Sequence, residues 1–332
     1  MRLAVPFLAA LLIWAASQAT IGHAAPAQAS GPAARTERPE RAEGVDRDAL
    51  MRTVRTLSQP SFEGRQTGTA GNGLARRFIQ DAFRQIGLAP AVPDFLQPFS
   101  FTLDRTNGRL SNALPRTAYD GVNVLGMVPG RRAGARTVVI SAHYDHLGVV
   151  DGKAYPGADD NASGVAAMLA IARHVQRHPL EHRIVFAAFD AEELGLEGAK
   201  AFVKTPPVPL TSIALDVNFD MVSRNDRNEI YAAGTFQHPS LQPIVADVQR
   251  RSAVAIRLGH DRPKTRNSDP DDWTPQSDHG VFDRAGVPFI YFGVEDHADY
   301  HKPTDTADKI DRGFFVDVAE TILDAVLALD RR

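Results

Sequence analysis

Two short apolar runs constrain the fold of this chain more than any other feature. Thr137-Val-Val-Ile140 is β-branched throughout, and Ile184-Val-Phe-Ala-Ala-Phe189 is unbroken by any polar residue. Such runs form strands buried on both faces of a parallel sheet. Between them Val165, Met168, Leu169 and Ala172 recur at i, i+3, i+4 and i+7, the apolar face of a helix. Strand, helix, strand in that order is a βαβ unit whose right-handed crossover makes the two strands parallel. Open α/β sheets gather their ligands beyond the carboxyl ends of such strands. Polar clusters stand at that edge: His143-Tyr-Asp145-His146 after the first run, Pro156-Gly-Ala-Asp159-Asp160-Asn161-Ala-Ser-Gly164 before the helix, and Asp190-Ala-Glu192-Glu193 after the second run.

Imidazole and carboxylate groups crowded at one sheet edge point to metal chemistry. Strand alternation puts His143 and Asp145 on one side and Tyr144 on the other. Asp145 is therefore expected to take the free ring N–H of His143, fixing its tautomer and raising its basicity. The same alternation turns Glu192 and Glu193 in different directions, so one can bind a metal while the other faces a substrate. Asp159-Asp160 opens the helix, where a carboxylate pair taken alone reads equally well as a helix cap.

Together these motifs resemble those of the M28 family of co-catalytic zinc peptidases, which includes bacterial aminopeptidases. The resemblance rests on His143 with Asp145, Asp159-Asp160 with Ser163-Gly164, Glu192-Glu193, Asp220 in Asn218-Phe-Asp-Met221, and His301 in Tyr300-His-Lys-Pro-Thr-Asp305, in family order over roughly residues 50 to 330. It implies a three-layer α/β/α fold with a mixed, largely parallel central sheet, as in zinc exopeptidases. It further implies two zinc ions, one bound by His143 and Asp220 and the other by Glu193 and His301, with Asp160 bridging. Glu192 would be the general base and Tyr300 a hydrogen-bond donor to the oxyanion. The late-histidine motif matches at His301 and not at His297. Five nitrogen and oxygen ligands for two metals would leave open positions for water, whereas closed structural zinc sites usually need thiolate. The chain has no cysteine.

With 332 residues and 43% hydrophobic content, the chain can bury a full core as one large domain. Net charge is −3, and basic residues cluster only in pairs such as Arg131-Arg132 and Arg250-Arg251, so nucleic acid is not an expected partner. Arg2, the apolar run Leu3 to Ala16 and Ala27-Gln-Ala29 read as a secretory signal peptide with cleavage after Ala24 or Ala29. The expected organisation is a signal peptide over 1–29, a flexible linker over 30–44 and one peptidase domain over 45–332. The mature protein would be periplasmic or secreted, act on peptides, and have no stable membrane insertion.

Along the chain, helices are expected at Asp46 to Leu57, Gly73 to Ile86, Pro239 to Arg251, up to Ala285, and Phe314 to Leu329, with a short one after Glu193 to about Val203. Further strands are expected at Phe95 to Leu103, Val122 to Val128, Ile213 to Phe219, Glu229 to Ala233 and Val287 to Phe292. The connection from Asp104 to Gly121 has no room for a protease-associated insert. Ser61-Phe-Glu-Gly-Arg65 and Gly68-Thr-Ala-Gly71 read as structural turns. Gly259 to Gln276 is a long polar loop expected to rim the substrate pocket. Ser277 or Asp278 would cap the helix that follows, or belong to the site. Three functions follow: hydrolysis at a peptide's amino end, glutaminyl cyclisation on a related one-zinc fold, and non-catalytic binding. The full ligand set favours hydrolysis.

Overall fold

The computed structural model describes residues 44–103, 118–266 and 269–331. The expected signal peptide, most of the linker and most of the connection before Gly121 lie outside the described residues. The helices are α1 (Arg47–Leu57), α2 (Ala70–Ile86), α3 (Gly164–Arg177), α4 (Glu197–Lys204), α5 (Gln242–Gln249), α6 (His279–Arg284) and α7 (Arg312–Asp330). The strands are β1 (Ala89–Pro90), β2 (Leu96–Thr102), β3 (Ala118–Val128), β4 (Thr137–His143), β5 (Val149–Val150), β6 (Lys153–Ala154), β7 (Arg183–Phe189), β8 (Ile213–Phe219), β9 (Glu229–Ala233), β10 (Ala255–Leu258) and β11 (Phe289–Gly293).

Among the described residues the main sheet has nine strands, in the order β1-β3-β7-β4-β8-β11-β9-β10, with β2 also paired to β3. Its centre is parallel: β4 pairs with β7 and β8, and β8 with β11, all in the same direction. The flanks are mixed, since β3 runs antiparallel to β7 and β9 antiparallel to β11. Along β7, Ile184, Phe186 and Ala188 join the core under α1, α2, α3, α5 and α7, while Val185, Ala187 and Phe189 join the core under α4 and α6. Every second residue thus serves an opposite layer and all are buried, which is why the run shows no polar alternation. Phe189, Phe202 and Phe282 lock the second layer, with ring centroids 5.5 to 6.1 Å apart. Each such aromatic pair adds about 0.5–1.5 kcal/mol beyond its buried area.

Helix ends follow local chemistry. Asp46 accepts the Ala49 N–H at 2.8 Å to start α1, and Asp311 accepts the Phe314 N–H at 2.8 Å to start α7. Gly87 ends α2 in the left-handed conformation. The helix expected over Pro239 to Arg251 is shorter, a 3-10 turn at Pro239–Leu241 followed by α5. Strand β10 was not expected, because in Ala-Ile-Arg-Leu only Ile256 is buried and an edge strand that short carries no apolar pattern. Because β4, β7, β8 and β11 are parallel, their carboxyl ends lie along one edge. His143 ends β4, Glu192 and Glu193 follow β7, Asp220 follows β8, and the segment after β11 leads to His301.

Candidate metal centre

At this edge the five residues His143, Asp160, Glu193, Asp220 and His301 come together. His143 Nε2 lies 3.2 Å from Asp220 Oδ1 and 3.4 Å from Asp160 Oδ1. The other oxygen of Asp160 lies 3.1 Å from His301 Nε2, which is in turn 3.4 Å from Glu193 Oε2. Asp160 therefore turns one oxygen toward each set. Two ligands on one tetrahedral zinc, with bonds of roughly 2.0–2.1 Å, sit about 3.3 Å apart. The four contacts cluster around that value, so the donor set fits zinc-like ligation.

Electrostatics agree with that fit. Among the described residues, the ion-pair partners of Asp160, Asp220 and Glu193 are all histidines. Burial raises the Asp160 carboxyl, but His146, His143 and His301 outweigh it and hold it well below the usual range. Burial and Asp160 push Glu193 up, yet hydrogen bonds from His146 and His301 bring it to about 2. Burial would lower His301, but its bonds to Asp160 and Glu193 raise it to about 10. The lowered carboxyls and the raised His301 thus have one cause, opposite charges held close together. A divalent cation would supply the same charge and bind the imidazoles neutral.

Glu192 is set apart. Burial drives its carboxyl well above the usual range against the opposing charge of His143, with Glu193, Asp220 and Asp278 adding to the rise. It borders a cleft of about 430 Å3 whose wall includes Leu196, Met221, Trp273, Tyr291 and Tyr300. The Tyr300 ring stacks on His301 with centroids 3.9 Å apart. Trp273, from the long polar loop, stacks on His260 at 3.6 Å, and its carbonyl meets His279 Nε2 at 3.0 Å.

Several supporting contacts differ from the sequence reading. The Asp145 carboxylate is 3.6 Å from His143 Nδ1, beyond hydrogen-bond length. Strand β4 ends at His143, so alternation no longer governs Asp145, and the ring nitrogen meets the Asp145 carbonyl at 3.3 Å instead. The carboxylate accepts the backbone N–H groups of Glu192 and Glu193. Asp159 and Asp160 do not cap α3, because Asn161 Oδ1 takes the Gly164 N–H at 2.9 Å. Asp159 instead accepts the backbone N–H and hydroxyl of Ser223 and meets His297 Nε2 at 3.2 Å. Asp278 does not cap α6 with its side chain, and both its oxygens are buried without a partner among the described residues.

Sequence reading also left residues without a role. Arg65 is fully buried and donates to four carbonyls, those of Leu57, Tyr144, Pro156 and Gly157, at 2.6 to 2.9 Å. It ties the end of β4 to the loop carrying Asp160. Gly64 beside it could not be replaced, since a Cβ there would come 2.5 Å from the carbonyls of Gly148 and Tyr155. Asp305 accepts the backbone N–H groups of Asp159 and Asp160. The only signals for these in sequence were their places in the Phe-Glu-Gly-Arg and His-Lys-Pro-Thr-Asp stretches.

A mixed sheet between helical layers, with a shared carboxylate among histidines and acids at its carboxyl edge, defines the zinc-exopeptidase class of fold. The chain belongs to peptidase family M28, whose family model matches residues 123–326. It is 26% identical to the alkaline phosphatase isozyme conversion protein of Escherichia coli (strain K12), over 68% of this chain and 66% of that one. It is 30% identical to the probable lipoprotein aminopeptidase LpqL of Mycobacterium tuberculosis, over 54% of this chain but 39% of that one. The chain thus covers less than two thirds of these relatives' lengths. In fold it is similar to an aminopeptidase from Aneurinibacillus sp. strain AM-1, with a TM-score of 0.68, 18% identity and coverage of 85% of this chain and 93% of that one. A Bacteroides thetaiotaomicron glutaminyl cyclase gives 0.67, 19%, 86% and 98%.

Proposed function

We propose that this chain is an aminopeptidase that removes residues from the free amino end of peptides. It would use two zinc ions, one held by His143 and Asp220, the other by Glu193 and His301, with Asp160 between them. The observation that carries this reading is the divided carboxylate of Asp160, 3.4 Å from His143 and 3.1 Å from His301, beside Glu192 in an open cleft. Bound there, such ions would supply Lewis acidity, making a water more acidic and the scissile carbonyl more electrophilic. Glu192 takes a proton from the attacking water and returns it to the leaving amine. Its place on the cleft wall beside the ligand cluster suits a group that must hold that proton in between. Asp145 sets the direction of Glu192 through the backbone N–H. Tyr300 donates its hydroxyl to the carbonyl oxygen as charge builds there. No Arg or Lys lines the cleft among the described residues, which favours a substrate ammonium over a carboxylate as the recognised terminus.

In this reading residues 45–332 form the catalytic domain and the chain is exported, as the run Leu3 to Ala16 and Ala27-Gln-Ala29 suggest. Mass spectrometry of the exported protein should then find a start between Ala25 and Ser30, and an intact Met1 in the soluble fraction would count against export. The likeness to a glutaminyl cyclase keeps cyclisation as the second reading. Incubation with free-amine, amino-blocked and amino-terminal-glutamine peptides separates the two. Release of the first residue from free-amine peptides alone supports the aminopeptidase; a pyroglutamyl product without hydrolysis supports the cyclase.

A further inference from the structure

His146 follows His143 by three residues and has no part in the proposed ligand set, yet it is buried at the centre of the site. Its Nδ1 lies 2.7 Å from Glu193 Oε1 and 3.7 Å from Asp160 Oδ2. The contact with Glu193 is too short for two ligands of one tetrahedral ion, which stand about 3.3 Å apart, and is the length of a charge-assisted N–H···O⁻ hydrogen bond. The oxygens of Glu193 are divided between two partners: Oε1 meets His146, while Oε2 faces His301 at 3.4 Å. An ionised carboxylate only accepts, so the proton of this bond resides on His146 Nδ1. The other ring nitrogen, Nε2, is buried and has no partner among the described residues, so Glu193 is the ring's main polar commitment. Packing fixes the ring as well. Gly157 adopts φ +54°, and a Cβ there would lie 2.6 Å from His146 Cγ and Cδ2.

We infer that His146 is a positioning residue for the metal centre: it holds Glu193 by Oε1 so that Oε2 alone is presented to the metal shared with His301 and Asp160. This rests on the metal-centre reading above. Without His146, Glu193 is free to rotate, and losing such an outer hydrogen bond typically costs about 10- to 100-fold in metal affinity. The effect should fall on one of the two zinc equivalents, because the 2.7 Å bond of His146 goes to Glu193, whereas Asp160, common to both sets, stands 3.7 Å from Nδ1, beyond hydrogen-bond length.

The test is zinc titration of metal-free protein against a competing chelator, with thermal melts of each metal-free form. His146→Ala should weaken one equivalent by about 10- to 100-fold and leave the other unchanged. Asn can place its amide N–H near the position of Nδ1, so His146→Asn should recover most of that loss. His146→Gln, whose amide sits one bond farther out, should behave like His146→Ala in zinc affinity; the Asn and Gln pair decides the matter if the alanine form does not fold. Native affinity in all three variants would overturn the inference. So would outright loss of one equivalent in His146→Asn, because it would make His146 a ligand. Wild-type protein that takes up no zinc would overturn the metal reading itself and this inference with it, an outcome visible before any substitution is made.

Discussion

The carboxylate of Asp145 accepts the backbone N–H of Glu192 at 3.1 Å, and its second oxygen accepts that of Glu193 at 3.3 Å. One side chain at the end of β4 thus sets the turn after β7 that carries both glutamates. Asp145→Asn keeps the shape but replaces one acceptor oxygen with an amide donor, which would oppose one of the two N–H groups. We expect kcat to fall by about tenfold or more, the scale of about 1.4 kcal/mol of lost positioning, with a weaker zinc site. Native kcat and zinc affinity in this variant would show that the turn is held by other contacts.

The two glutamates should separate cleanly by substitution. Glu192→Gln keeps shape and loses basicity, and positioned acid-base catalysis is typically worth about 10² to 10⁴ in rate. It should lower kcat by that order while zinc content and KM stay nearly native. Glu193→Ala should lose zinc as well as rate. Metal analysis alongside Michaelis kinetics decides, and zinc loss in Glu192→Gln but not in Glu193→Ala would reverse the assignment.

Removing metal should destabilise as well as inactivate. A ligand present at a thousand times its dissociation constant stabilises the fold by about 4 kcal/mol, which for a chain of this size shifts Tm by roughly 10 °C. Calorimetry with and without chelator, followed by zinc addition, should show a fall of that order and its recovery. An unchanged Tm together with full activity after chelation would sink the zinc reading.

Arg65→Met removes donors from four carbonyls while nearly conserving volume. Each buried polar group left unpaired costs about 1–3 kcal/mol, and water reaching some of them would soften the total. A loss of about 3 kcal/mol or more is expected in urea unfolding. A change under about 1 kcal/mol would mean that these carbonyls find other partners.

Trp273 forms the cleft wall with Leu196 and Met221 and is held by its stack on His260. Trp273→Ala removes apolar surface from the substrate side, and burying a large apolar side chain is worth about 1.5–3 kcal/mol. Peptides with a large apolar first residue should lose about tenfold or more in kcat/KM, while those beginning with Gly or Ala should change little. An equal loss across the panel would assign Trp273 a purely structural part.

What the sequence by itself determined is what local pattern can carry. Thr137 to Ile140 is β-branched and Ile184 to Phe189 apolar at every position, and a strand buried on both faces satisfies that. The parallel strands, the helical layers and the placing of His143, Glu192, Glu193 and Asp220 beyond strand ends follow from such runs. Tertiary structure decided the rest, because the deciding partners are far apart in the chain. Arg65 reaches Pro156 and Gly157, Asp305 reaches Asp159 and Asp160, and Asp145 turns from His143 to the backbone of Glu192 and Glu193. Asn161, and not the acidic pair before it, accepts the first N–H of α3, since Asp160 is drawn to the histidines and Asp159 to Ser223. His146 shows the limit most plainly: four letters, His-Tyr-Asp-His, cannot say which imidazole faces a metal and which holds a ligand. That difference lies in a separation of 2.7 Å rather than 3.1 to 3.4 Å, set only when β4, β7, β8 and the segment after β11 pack against one another.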